Sequence, residues 1–218
     1  MEIRETKTLC QGKVNIKCVD RVFLSLFERQ VEHNGKISPY FLASRSVHVP
    51  LAKDKLPDAV VIVAIKKTLW PSDTGGPYQP ARLVLVDEFR PAIGRREICF
   101  PAGLIDQKDY EGGKTAQEAA KSAAVRELKE ETGLTLTVTG VSPPNLYSSA
   151  GMSDESCMIV FGKAEGEISS AFMEADEDIK GLLWSEAEIA TNIHNPDLAF
   201  AKVCWPFLWN FARNGLWL

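Results

Sequence analysis

One stretch constrains this chain more than any other: a helix signalled at both ends, between Thr115 and Gly133, that carries three carboxylates. Thr115-Ala116-Gln117-Glu118 has the form of a capping box, in which the threonine side chain accepts from the backbone N–H of Glu118. Gly133 stands where a helix stops in the left-handed conformation. At about 100° per residue, with Glu127 as zero, Glu130 falls at about −60° and Glu131 at about +40°. Ala116, Ala119, Ala120 and Ala123 fall on the same side, between about −80° and +20°, while Lys121, Lys129 and Thr132 fall opposite. Glu118 lies at about 180° and reads equally as a capping residue or as a catalytic one.

A solvated acidic face would interleave glutamate with lysine as i,i+4 pairs. Here Glu127, Glu130 and Glu131 instead continue the alanine stripe by which the helix meets the rest of the protein. They also crowd the helix C-terminus, where the macrodipole disfavours each anion by about 0.3–1 kcal/mol and mutual repulsion adds to that. A divalent cation removes the cost, and hard oxygen donors on one helical face suit magnesium, with manganese as the alternative.

The 218 residues suffice for one well-buried domain and a small accessory element. Val14, Ile16 and Cys18 alternate, as do Val22, Leu24 and Leu26; a further strand opens at Tyr40-Phe41-Leu42 and ends near Val49. His33-Asn34-Gly35-Lys36 supplies turn chemistry between the last two. Residues 1–57 are therefore expected to form a small antiparallel β-subdomain, with a linker from Pro50 to Pro57 and one of Tyr40 and Phe41 in its core. Residues 58–218 form the second domain. Ala59 to Ile65 reads as a central strand, followed by strands at Arg82–Phe89, Glu97–Phe100, Leu134–Val141 and Ser156–Lys163. Ser185-Glu186-Ala187-Glu188 opens another helix, and Pro196–Ala212 reads as a terminal helix stopped by Gly215. Strands and helices do not alternate regularly, so the expected class is α/β with a mixed sheet sandwiched by helices.

Composition narrows the function. A net charge of −4 argues against nucleic acid as partner, and no apolar run approaches the ~20 residues that span a bilayer. Met1-Glu2-Ile3-Arg4-Glu5 lacks the form of a secretory signal. Five scattered cysteines, none in a C-x-x-C pair, fit a reducing cytoplasm rather than a disulfide framework or zinc site.

From Gly112 the chain reads G-x5-E-x7-R-E-L-x-E-E-x-G-L, ending Arg126-Glu127-Leu128-Lys129-Glu130-Glu131-Thr132-Gly133-Leu134. This resembles the Nudix box. Phe100-Pro101-Ala102-Gly103-Leu104 and Glu88-Phe89-Arg90-Pro91 resemble the ADP-ribose pyrophosphatase branch of that family, over roughly residues 40–212. The opening glycine is either Gly112 or Gly103; with Gly103, Gln107–Lys114 is an inserted loop. The resemblance implies an α/β/α sandwich and a homodimer formed through the N-terminal β-subdomain. It implies Glu127, Glu130, Glu131 and the Ala102 carbonyl as ligands of two or more magnesium ions, with Arg126 orienting the glutamates. The acidic run after residue 173 implies a loop-borne general base, Glu177 first and Glu174 second. Arg90 and Leu104 match substrate-contacting positions, and Ser149 to Glu155 resembles the segment after the box, bringing in Gly151 and Glu155, with Ala150 in place of proline. Cys99 stands where many relatives carry glutamate, and Glu97, on the same strand face, is the alternative carboxylate there. The relatives' N-terminal tryptophan and glutamate are absent, and Tyr40, Phe41 and Arg45 occupy that segment. The implied reaction is hydrolysis of ADP-ribose or a related nucleoside diphosphate sugar; GDP-mannose, another nucleotide sugar or a dinucleotide is the alternative substrate. A domain that senses ADP-ribose without cleaving it is the reading from another class.

Overall fold

The computed structural model describes residues 2–11, 24–46, 55–67, 80–173 and 177–214. It divides into two compact units, Met1–Asp58 with Pro144–Cys157, and Ala59–Pro143 with Met158–Leu218. The sequence-based division after residue 57 follows chain order; the first structural unit also takes in Pro144–Cys157.

In the first unit, β1 (Glu2–Gln11), β2 (Ser25–His33) and β3 (Lys36–Ser44) form an antiparallel sheet in that order. The β2–β3 hairpin closes through Asn34 and Gly35, both at positive φ (52° and 73°), as a two-residue Asn-Gly turn requires. Phe27 and Leu42 face each other across the register and are buried. Their neighbours Tyr40 and Phe41 are 41% and 54% exposed, so the expectation that one of them is core is wrong: Leu42 fills that place. Leu26, Ile37 and Phe41 line the opposite sheet face and are exposed. The segment 144–157 joins this unit through Ala43 N–H donating to Met152 O at 2.9 Å and Asp154 N–H to Ala43 O at 3.3 Å. Within it, β9 (Leu146–Tyr147) pairs with Ser156 and Cys157, the first residues of β10 (Ser156–Glu165). The alternating segment Val14–Cys18, Val22 and the stretch to Val49 lie outside the described residues.

The second unit is a sheet between helices. Its strands are β4 (Ala59–Lys66), β5 (Arg82–Arg90), β6 (Arg95–Cys99), β7 (Ala102–Leu104), β8 (Thr135–Val141), β10 and β11 (Ile179–Ser185). They run in the order β11-β5-β4-β10-β8, with β6 added to β5 and β7 to β4. β4 and β10 start side by side, Asp58 N–H donating to Ser156 O at 2.9 Å, so they run parallel; the other pairings on this path are antiparallel, and the sheet is mixed. Both faces of β4 are covered, which explains its unbroken apolar run. Val60, Ile62 and Ala64 pack under α1 (Ala116–Thr132). Val63 and Ile65 pack with Ile189 of α2 (Glu186–Asn192) and with Cys204, Leu208 and Phe211 of α3 (Cys204–Asn214).

α1 has the expected ends: Thr115 and Glu118 form the capping box, and Gly133 has φ 75° with its N–H on Lys129 O. Thr132, expected among the solvent-facing lysines, is fully buried. Its hydroxyl donates to Leu128 O at 2.5 Å, and its carbonyl accepts from Ser169 N–H at 2.9 Å. The segment at Ser169 thus covers the helix end and turns the buried arc towards Thr132. α3 starts at Cys204 rather than Pro196, because residues before it serve the sheet: Ile98 N–H donates to Ala199 O, and Ala201 N–H to Ile98 O. No helix among the described residues is long and apolar enough to cross a membrane.

Candidate active site

Three elements of the second unit meet at the C-terminal half of α1. The rotated burial arc places Glu131 deepest, 4% exposed, with the Glu127 side chain at 12% and that of Glu130 at 30%. Arg126 binds both of the outer pair through Nη1, to Glu127 Oε1 at 2.6 Å and Glu130 Oε2 at 3.1 Å. Its Nη2 donates to the Leu104 carbonyl at 3.1 Å and to Asp109 Oδ2 at 3.2 Å. One guanidinium therefore ties α1 to β7 and to the short 3-10 turn Gln107–Tyr110.

β7 lies hard against the helix. A Cβ at Gly103 would come 2.0 Å from Glu127 Cδ, so only glycine lets the strand approach this carboxylate. One residue earlier, Ala102 N–H donates to Glu131 Oε2 at 3.3 Å. The proposed loop Gln107–Lys114 is partly ordered by its own chemistry: Asp109, 6% exposed, accepts from the Asp106 N–H at 2.9 Å and from Arg126.

The third element is the corner of β5, β6 and β11. Glu88 pairs with Glu97 across β5–β6. Arg90 lies 2.5 Å from Glu88 Oε1 through Nη1 and 3.5 Å from Glu97 Oε2 through Nε. The buried Cys99 lies between them, its thiol 3.9 Å from Glu88 Oε2. Burial pushes this thiol up to about 12, so it stays protonated. Arg96 clamps the corner, reaching Asp87 Oδ1 and Asp178 Oδ1 at 2.8 Å each, and so holds the residue next to Glu177.

The electrostatics follow from this crowding. Burial raises the Glu131 carboxyl well above the usual range, and the charges of Glu127, Glu88 and Glu177 push it further. Glu127 is raised by burial against the pull of Arg126, with Glu130 and Glu177 adding to the rise. Glu88 is raised by burial too, Arg90 opposing and Glu177 and Glu97 adding. Such a set is relieved by protons or by a cation, and its donors are hard oxygens of the type magnesium and manganese take. The residues fit a divalent cation in charge and chemistry. As the side chains lie, no three such groups among the described residues enclose an ion; Arg126 draws Glu127 and Glu130 to itself.

The remaining candidates gather within the first unit. Tyr40 donates through its hydroxyl to Gly151 O at 2.9 Å, and Arg45 Nε to Glu155 Oε1 at 3.0 Å. Tyr40 lines a cavity of about 220 Å3 together with Arg29, Tyr147 and Asp154. Phe41 is on the other sheet face and does not share that cavity. Glu174 lies outside the described residues. Glu88 and Asp109 carry interactions that sequence reasoning assigned to neither. Glu88 was detectable, being two residues from Arg90 on the same strand face; Asp109 was not, since only the fold brings it to Arg126, 17 positions away.

A model of the NUDIX domain matches residues 73–202. An uncharacterized Nudix hydrolase of Schizosaccharomyces pombe is 33% identical over 147 residues, covering 67% of this chain and 60% of that protein. An ADP-sugar pyrophosphatase of Mus musculus is 34% identical over 99 residues, covering 45% of this chain and 37% of that protein. The matched segments span 60%, 50% and 37% of the lengths of the curated relatives. The crystal structure of an ADP compounds hydrolase aligns with 99% of this chain and 96% of its own, with a TM-score of 0.59 at 20% identity, a likeness of fold.

Proposed function

The chain belongs to the Nudix family, and from that premise we propose that it is a metal-dependent pyrophosphohydrolase. Its substrate in this reading is ADP-ribose or a related nucleoside diphosphate sugar, cleaved to a nucleoside monophosphate and a sugar phosphate. The observation that carries the reading is the buried carboxylate set of α1, with Glu131 at its centre and raised by its neighbours. Glu127, Glu130, Glu131 and the Ala102 carbonyl are assigned to hold two or more magnesium ions, manganese being the alternative. When bound, such cations neutralise the diphosphate and make water a better nucleophile.

The chain's own groups do the rest. Arg126 spaces Glu127 and Glu130 from one side through charge-assisted hydrogen bonds. Arg90 is assigned to the phosphates, where a planar guanidinium forms charge-assisted bonds, and Leu104, the last residue of β7, is assigned to the substrate as well. Glu177 is assigned to take the proton from the attacking water, with Glu174 as the second choice. What supports this is the β5–β11 register, which carries Glu177 alongside the Glu88–Arg90 stretch. In the first unit, Tyr40, Arg45, Gly151 and Glu155 are assigned to the nucleoside. Phe41 is assigned with Leu26 and Ile37 to an apolar face that pairs two copies of the chain as a homodimer. The free, buried thiols of Cys99, Cys157 and Cys204 suit a cytoplasmic location.

The test is a panel of nucleoside diphosphate derivatives incubated with the protein and magnesium, with release of monophosphate measured. Turnover of ADP-ribose or an ADP-sugar is expected to be fastest. No turnover of any member would refute the enzyme assignment, and a preference for GDP-mannose would refute the substrate.

A further inference from the structure

Arg96 has no part in the reaction as assigned above, yet its guanidinium grips two residues at one point of the sheet. Nε lies 2.8 Å from Asp87 Oδ1, and Nη2 donates to the Asp87 carbonyl. Nη1 lies 2.8 Å from Asp178 Oδ1, and Nη2 donates to the Asp178 carbonyl at 3.3 Å. Arg96 belongs to β6 and Asp178 stands just before β11, with β5 between these two strands. One side chain thus reaches across a whole strand.

The register shows from which face it does so. Arg96 stands opposite Phe89, two residues from Asp87, so Arg96, Phe89 and Asp87 share a face of β5–β6. Glu88 and Arg90 take the other face, where they meet Glu97 and Cys99. Along the other edge of β5, Ile179 stands opposite Glu88, and Phe89 N–H donates to Asp178 O at 3.2 Å. The ladder therefore runs one residue beyond the start of β11. Alternation puts Asp178 on the Arg96 face and Glu177 on the face of Glu88 and Arg90.

A purely structural role would make Arg96 a staple of the sheet. The β5–β11 pairing already runs without it from Ile179 opposite Glu88 to Ser185 opposite Arg82. The Asp178 side chain is 65% exposed, and an ion pair so open to water adds little to stability. What the grip supplies is location, at the last backbone position before β11.

We infer that Arg96 is a positioning residue for the reaction: holding Asp178 from one face of the sheet, it fixes the direction in which Glu177 leaves the other. The assignment rests on Glu177 being the base, as proposed above. Arg96 acts only through the carboxylate it aims, and a group displaced by about 1 Å loses on the order of 100-fold in rate.

Steady-state kinetics on whichever nucleoside diphosphate derivative the wild type cleaves fastest, with thermal midpoints recorded alongside, test this. Arg96→Ala is expected to lower kcat about 10- to 100-fold, with KM within about threefold of wild type. Asp178→Asn keeps the shape of its side chain and should lower kcat in the same direction at unchanged KM. Arg95→Ala, which removes the neighbouring guanidinium bound to Asp197 O, should leave kcat unchanged. The decisive measurement is a double-variant cycle. Adding Arg96→Ala to Glu177→Gln should lower kcat no further, whereas a structural contribution would multiply the two losses. If Arg96→Ala does not fold, Asp178→Asn takes its place in the cycle. Wild-type kcat in the variant, a loss confined to KM, or multiplied losses in the double variant would each overturn the assignment. A wild-type chain that cleaves no nucleoside diphosphate sinks the proposed reaction and this assignment with it. One that cleaves while Arg96→Ala matches it sinks the role of Arg96 alone.

Discussion

Two glycines near α1 look alike in sequence and differ in what surrounds them. A methyl group at Gly103 would meet the end of one flexible side chain, Glu127. Gly103→Ala should therefore fold with a stability change under about 1 kcal/mol, yet lose turnover and metal affinity at least about tenfold, because the carboxylate is what must move. At Gly133 the added carbon would lie 2.9 Å from the backbone N and O of Ser169, in a residue with φ 75°. Gly133→Ala should lose about 1–3 kcal/mol in denaturant titration, since neither strain nor clash can be relieved by a side chain. Glu131→Gln separates charge from shape. Its carboxyl is raised by burial, so the folded chain binds that proton more tightly than the unfolded one. The resulting stabilisation is full below the ordinary carboxylate value of 4.5 and is lost as pH rises towards the raised one. Metal-free Glu131→Gln should thus show a flatter fall in thermal midpoint above that pH than wild type, together with a loss of turnover of about 100-fold or more. Glu127, Glu130, Glu131 and Arg126 were legible because a helix repeats its geometry from residue to residue. Asp109 was not, since only the fold brings it to Arg126, whereas Glu88 could have been found from its spacing to Arg90 on one strand face.

Among the elements, those written locally were the ones legible beforehand. α1 and α2 carry their starts in four consecutive residues, and both capping boxes form. β11 escaped notice, because Ile179-Lys180-Gly181-Leu182 has little alternation and only its register against β5 makes it a strand. The three-residue β7 owes its existence to β4 in the same way. The cap of α2 gives a pH-dependent prediction. Ser185 donates to the Glu188 carboxylate through its hydroxyl at 2.6 Å and its backbone N–H at 2.7 Å, which lowers the Glu188 pKa. A depressed carboxylate stabilises the fold above its ordinary value of 4.5, and that contribution fades as pH falls through the depressed one. Ser185→Ala should be about 0.5–2 kcal/mol less stable than wild type at pH 7, with the deficit narrowing in acid. Chemical unfolding at the two ends of that range measures it.

At the scale of the whole molecule, the open side of the first sheet is the surface on which the proposed pairing of two copies rests. Leu26, Ile37 and Phe41 expose 44%, 56% and 54% of their surface on one side of the β2–β3 pair. Exposed apolar side chains gathered on one sheet face are candidates for an association surface. Light scattering should give the mass of two chains for wild type and of one for Leu26→Glu combined with Phe41→Glu. A wild-type monomer would refute the assembly. The composition of the first unit has a different consequence, one that concerns time. Arg45 and Glu155 lie 110 positions apart, and Tyr40 and Gly151 lie 111 apart. A ribosome adding about 5–20 residues per second leaves the N-terminal strands waiting roughly 5–20 s for the segment that completes them. During that interval a nascent sheet with an apolar side is available to every neighbour on the polysome. The first strands made belong to a unit that closes only once Pro144–Cys157 has been synthesised, so its contacts are the slow, non-local kind.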